Sequence, residues 1–287
     1  MRALDQADMA SRSIAVLQVL PALESGGVER GTLEVGRHLV EHGHRSLVMS
    51  AGGRLVGQLA GEGSRHFCWP IGEKSLRTLG LVRKLRRFLV EQQVDILHVR
   101  SRLPAWVGYL AWRGMNPATR PRLVSTFHGF YSINSYSAVM TKAEHIIAVS
   151  DCIADHVAKE YGPHAPVTTI HRGIDPGEYS GGFRPDAPWR RRWAEEYPHL
   201  QRKRLVTLPG RITRLKGHHD FIEIIGRLKA MMPDVHGLIV GGYEPRRSSY
   251  FAELEEAIRR RGLSSDITFT GNRGDLKEIM SISALVL

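Results

Sequence analysis

Short, uninterrupted apolar runs recur along the first part of the chain and constrain its fold more than any other feature. They are IAVLQVL at 14–20, SLVMS at 46–50, HFCWPI at 66–71, DILHV at 95–99, RLVSTF at 122–127, HIIAVS at 145–150 and VTTIH at 167–171. Each reads as a buried strand. Their hydrophobicity is continuous rather than alternating, so both faces of the sheet must be covered, as in a parallel sheet with helical crossovers. The class is therefore α/β. The intervening stretches carry helix punctuation: one helix from about Val28 to His42 stops at Gly43, and another, N-capped by Ser150, runs to Tyr161 before Gly162-Pro163.

Residues 174–203 break this rhythm with Gly181, Gly182, Pro185, Pro188, Pro198 and the charged run Trp189-Arg190-Arg191-Arg192-Trp193. They read as an inter-domain connection with a short helix. The alternation then restarts with RLVTLPG at 204–210, HGLIVGG at 236–242, DITFTG at 266–271 and ALVL at 284–287, with helices expected at 217–232, 248–261 and 274–281. The expected organisation is a first domain over 1–173, a connection over 174–203 and a partial second domain over 204–287. A sheet that stops at its fourth strand is not expected to close its own core, and the chain reads as truncated.

A length of 287 residues favours two domains, and 42% apolar with 24% charged residues excludes extended disorder and fibrous classes. The formal charge of +11 comes mostly from arginine, since only 8 of the 40 basic residues are lysine. Arginine suits phosphate forks, but an arginine-rich codon bias gives the same count, so charge alone separates nucleotide, membrane and nucleic acid poorly. Cys68 and Cys152 form no CxxC pair, which fits a reducing compartment. The start, MRALDQADMASRS, lacks the apolar core of a signal peptide, and no run approaches the roughly 18 residues of a membrane span. The expected location is cytoplasmic, with peripheral attachment to the inner membrane face left open.

In open parallel sheets ligands bind where strands end, so the loops after the strands are the places to search. Gly26 and Gly27 follow the first strand at a helix N-terminus, where a backbone can approach phosphate; a tight turn wants the same residues. His128 follows the fifth strand beside Gly129 and is the leading active-site candidate, against the reading of a packed side chain. The strongest constellation is Gly210-Arg211-Ile212-Thr213-Arg214-Leu215-Lys216-Gly217. Here Arg211 at a strand end and Lys216 at the next helix can clamp one diphosphate, unless the loop is simply solvated and basic. Gly241-Gly242-Tyr243-Glu244 and Gly271-Asn272-Arg273 close the next two strands and are candidates for a nucleotide floor. No GxGxxG, GxxxxGK[ST], GxSxG or HExxH motif occurs, which removes the main support for dehydrogenase, NTPase, serine hydrolase and zincin readings. No Asp-x-Asp pair offers to hold a metal against a diphosphate, so no metal or other cofactor is expected.

Taken in order, GGVER at 26, DILHVRSR at 95, TFHGFY at 126, HIIAVSDCI at 145, HRGID at 171, LPGRITRLKGHHDFIEII at 208 and FTGNRGDLKEIM at 269 resemble the family 4 glycosyltransferases. The resemblance covers most of the chain. It implies the GT-B fold: two Rossmann-like, doubly wound parallel-sheet domains facing a cleft, the second incomplete here. It also implies a retaining transferase with a nucleotide-diphosphate sugar donor held mainly by the second domain and a glycan or lipid-linked acceptor. By motif, Arg211 and Lys216 would bind the diphosphate in place of a metal, and Gly27 would contact phosphate. His128 would sit beside the donor sugar, and the Asn272-Arg273 loop, with Gly210 and Gly242, would border the nucleotide. The family's Glu-x7-Glu segment is not in this sequence, which implies weak donor binding by the chain as it stands.

The helix from about Leu76 to Gln92 can gather Leu79, Val82, Leu85 and Leu89 on one side and Arg83, Lys84, Arg86 and Arg87 on a basic edge. That pattern could rest on an anionic membrane surface, or be an ordinary crossover helix. The implied role is assembly of lipopolysaccharide or another surface polysaccharide, with no nucleic-acid partner. Two other readings stay open: a non-catalytic module binding a nucleotide or polyanion, and a sugar-nucleotide epimerase, which would need carboxylates that this sequence does not cluster.

Overall fold

In the computed structural model the described residues are 12–24, 26–174, 176–177, 179–242 and 248–287. The first eleven residues, Ser25, Asp175, Tyr243 and Glu244, named above, lie outside them, as does the side chain of Leu79. The chain divides into two compact units, Met1–Gly173 and Ile174–Leu287.

The seven apolar runs of the first unit become strands β1 (Ala15–Val19), β2 (Arg45–Ser50), β3 (Arg65–Cys68), β4 (Ile96–Val99), β5 (Arg122–Phe127), β6 (His145–Ala148) and β7 (Val167–Thr169). They form one sheet in the order β3-β2-β1-β4-β5-β6-β7, with every adjacent pair parallel. The order reverses between β1 and β4, which is where doubly wound folds open a crevice for ligands. Every residue of β1 is buried, as the continuous apolar run requires of a strand covered on both faces.

Among the described residues, the helices that cross over this sheet are α1 (Gly27–Glu41), α2 (Val56–Gly61), α3 (Leu76–Glu91), α4 (Arg102–Arg113) and α5 (Asp151–Tyr161). Helix α1 ends just before Gly43 at φ +75°, and α5 ends at Gly162 with φ +50°, left-handed positions that favour glycine. Ser150 does precede α5, but its hydroxyl meets the Cys152 thiol at 3.1 Å instead of capping a backbone N–H. Leu81, Leu85, Phe88 and Leu89 of α3 are buried in the core against the sheet. That packing takes the apolar side of α3 away from any lipid. Arg83, Lys84 and Arg87 remain exposed, while Arg86 turns back to donate to the Ala111 carbonyl.

The second unit carries β8 (Arg204–Pro209), β9 (Val235–Val240), β10 (Ile267–Gly271) and β11 (Leu285–Val286) as a parallel sheet in the order β10-β9-β8-β11. Its helices are α6 (Ala187–Glu196), α7 (His218–Met231), α8 (Ser248–Arg260) and α9 (Leu276–Ile282). Helix α6 is the short helix expected within 174–203, and the stretch falls inside the second compact unit. Asp186 caps it by accepting from the Trp189 backbone N–H at 2.7 Å. Trp189 and Trp193 stack with ring centroids 5.3 Å apart and are buried with Leu200, Leu205, Leu238, Val240 and Ile279. Two indoles carry too much apolar surface to leave in solvent, so this stretch supplies part of the second unit's core.

Candidate functional site

In the first unit, the strand ends β4, β5 and β7 each deliver a polar group to one cavity of about 200 Å³. Arg100 follows β4, His128 follows β5 and Arg172 follows β7; Gly31, His98 and Thr126 also line the cavity. Arg100 is 4% exposed. Its Nη1 donates to Gln18 Oε1 at 2.7 Å, and Gln18 Nε2 donates to the Thr32 carbonyl of α1 at 3.0 Å, so a buried amide chain fixes the guanidinium. Arg172 Nη2 donates to Glu34 Oε2 at 2.7 Å.

Gly31 explains how both cations fit. A Cβ there would lie 1.6 Å from Arg172 Nη1 and 3.0 Å from Arg100 Nη2, so the glycine leaves the space that the two guanidinium ends occupy against α1. Burial and the neighbouring Arg172 pull the Arg100 pKa down to about 10, still charged at neutral pH. The same surroundings act on His128: burial first, then Arg100 and Arg172, lower its pKa to about 3, so the imidazole is neutral. Its Nε2 is buried without a hydrogen-bond partner. His98, held well below its usual pKa by burial, shares a 2.7 Å hydrogen bond with Thr126 Oγ1.

Gly26, expected at a phosphate approach, adopts φ +140° before α1, and a Cβ there would meet Glu29 Oε2 at 2.7 Å. The Glu29 carboxylate thus folds over this residue at the helix N-terminus, where the partial positive charge favours an anion. Gly27 opens α1 with free space around its Cβ position.

In the second unit the three loops after β8, β9 and β10 are stitched into one edge. Gly210 N donates to the Val240 carbonyl, Ile212 N to the Gly242 carbonyl, and Gly242 N to Asn272 Oδ1, each at 2.9 Å. Asn272 therefore orients the Gly242 loop. The basic constellation separates into three parts. Arg214 pairs with Glu253 of α8 and lies over the Tyr250 ring at 4.7 Å, a structural use. Lys216 runs its aliphatic stem across Gly210, where a Cβ would meet its Cδ at 3.4 Å. Arg211 and Lys216 are exposed, and among the described residues neither has an ion-pair partner.

Arg273, expected to border the nucleotide, has carboxylate partners within the second unit. It donates to both carboxylate oxygens of Asp275 at 2.9 and 2.8 Å and to Glu196 at 2.6 Å, and lies over the Trp193 and Tyr197 rings. These bonds raise its pKa and hold that of Asp275 below the usual carboxylate range. Three of its five N–H donors are engaged in fixing α6 and α9. Sequence reasoning missed Arg100 and Arg172, although both lie inside DILHVRSR and HRGID and Arg100 directly follows a strand end.

Residues 25–178 match the family described as Glycosyltransferase Family 4, and residues 190–287 match Glycosyl transferases group 1. Among solved structures, a glycosyltransferase from Rickettsia africae is 30% identical, with a TM-score of 0.79 over 96% of this chain and 72% of its own. HepE from Anabaena, solved with UDP and glucose, is 20% identical with a TM-score of 0.76, covering 95% of this chain and 73% of its own. WaaG, a glycosyltransferase involved in lipopolysaccharide biosynthesis, is 16% identical with a TM-score of 0.66, covering 94% and 74%. Among curated proteins none matches. The chain belongs to glycosyltransferase family 4, and its two parallel sheets are the Rossmann-like units of the GT-B fold, the second the smaller.

Proposed function

We propose that this chain is a retaining glycosyltransferase that takes a sugar from a nucleotide-diphosphate sugar and delivers it to a glycan or lipid-linked acceptor, without a metal. The observation that carries this reading is the pair of unpaired cations, Arg211 and Lys216, on the glycine-bounded loop after β8. As the anomeric carbon–oxygen bond breaks, negative charge grows on the departing diphosphate, and two fixed cations stabilise it in the role a divalent metal plays elsewhere. Gly210 and Gly242 border the nucleotide, Asn272 orients that loop, and Gly27 approaches phosphate. His128, neutral at working pH, hydrogen-bonds a sugar hydroxyl without adding charge. The complex of HepE with UDP and glucose supports a nucleotide-sugar donor.

The likeness to WaaG supports a place in lipopolysaccharide or other surface polysaccharide assembly. No helix among the described residues is long and apolar enough to cross a membrane. The exposed Arg83, Lys84 and Arg87 edge supports peripheral attachment to an anionic inner face, by charge alone.

The test is a thermal-shift panel of UDP-, GDP- and ADP-sugars with and without EDTA. One nucleotide should raise Tm in either condition, and Arg211→Ala and Lys216→Ala should each weaken it by about tenfold or more. A shift by none of them, or one that both variants keep, overturns the donor site. Binding that instead follows nucleic acid and vanishes with salt favours a polyanion-binding module.

A further inference from the structure

The first unit holds a cationic arrangement that the donor reading does not use. Arg100 is buried with only a neutral amide as partner, its Nε has no partner at all, and among the described residues no carboxylate lies within ion-pair reach of it. Beside it stands a second guanidinium, Arg172, paired with Glu34. A buried cation packed against another cation is costly unless something anionic completes it. The cost is built in rather than relaxed away: Gly31 admits both side chains, and the Gln18–Thr32 hydrogen bond locks Arg100 in place.

We propose that this cavity is an anion subsite of the first unit, and that it takes a phosphate monoester carried by the acceptor. Residues from three different strand ends line the cavity, Arg100, Arg172 and His128, with the Glu34 carboxylate beside them paired to Arg172. A planar carboxylate is satisfied by one guanidinium fork in its own plane, whereas a phosphate monoester offers three terminal oxygens in a tetrahedral spread, one for each direction of approach. The cavity of about 200 Å³ accommodates the phosphate and the carbon bearing it, with the remainder of the acceptor outside.

Calling the ligand an acceptor rests on the transferase reading; the anion site itself does not. Binding of inorganic phosphate, glucose 6-phosphate, a short-chain phosphatidic acid and glucuronate is measured by calorimetry at constant ionic strength. The proposal expects the two phosphate monoesters to bind, with whichever is tighter identifying a sugar-borne or lipid-borne phosphate. Arg172→Gln should weaken both by about tenfold or more, while Arg211→Ala leaves them unchanged. Gly31→Ala, which displaces the guanidiniums without removing charge, should lose the same binding; Arg172, being half-exposed, can be replaced with little risk to the fold. Absence of phosphate binding, binding kept in Arg172→Gln, or a preference for glucuronate overturns the subsite. Phosphate binding lost in Arg211→Ala assigns the anion to the donor loop and overturns it as well. Nucleotide binding that fails while phosphate binding behaves as expected removes the donor reading and leaves the subsite standing.

Discussion

Gly241 stands so close to Gly210 that a Cβ on it would lie 1.9 Å from the Gly210 carbonyl oxygen. The obstacle is backbone, which cannot swing aside as a side chain can. Gly241→Ala should therefore force apart the loops after β8 and β9, the first of which carries Arg211, costing about 1–3 kcal/mol of stability. A urea unfolding series on the second unit's transition checks it, and an unchanged midpoint would show that the loops are not held as tightly as described.

Arg214 supplies the internal control for its neighbours. Its pairing with Glu253 and its place over Tyr250 make it part of the scaffold, whereas Arg211 and Lys216 face outward without partners. Arg214→Ala should leave nucleotide affinity within about twofold, because an exposed pair contributes little. If Arg214→Ala abolished binding while Arg211→Ala spared it, the clamp would have been assigned to the wrong cation.

The Arg273–Asp275 contact should make the second unit acid-sensitive. Hydrogen bonds from Arg273 first, then from Trp189, depress the Asp275 pKa below its unfolded value of roughly 3.9. A carboxylate depressed in this way stabilises the fold above the unfolded pKa, and the contribution disappears as pH falls through the folded one. Wild type should exceed Asp275→Asn in Tm at neutral pH, and the gap should close below about pH 4. A gap that stays constant down the scan would mean that the charge contributes nothing.

His128 shifts stability in the same direction, over a higher pH window. Its folded pKa of about 3 lies below the ordinary 6.5, so in that window the unfolded chain binds a proton that the fold refuses. Stability then rises with pH, and it should fall as the solution is acidified from about pH 6.5. The difference in unfolding free energy between wild type and His128→Gln, followed from about pH 7 to about pH 4, should turn against wild type on acidification. A flat difference would place His128 in solvent.

The strands were readable because parallel β structure writes itself as continuous apolar runs, and each expected run from IAVLQVL to ALVL corresponds to a strand. Helix ends were equally legible where a glycine had to go left-handed, as at Gly43 and Gly162. Long-range partners were not. Nothing local announces that Glu196 would reach Arg273, although Asp275 two residues on was a visible hint. Arg100 and Arg172 escaped for the same reason: only the fold brings 31, 100 and 172 together, and glycine within a helix reads as a defect until the two guanidiniums it accommodates are seen.

The stacked indoles of α6 decide where this gene can be divided. A fragment begun at Arg204 would leave Leu205, Leu238 and Val240 without the cover that Trp189 and Trp193 give them, presenting water with a raw apolar wall that invites aggregation. One begun at Ile174 takes its own lid along.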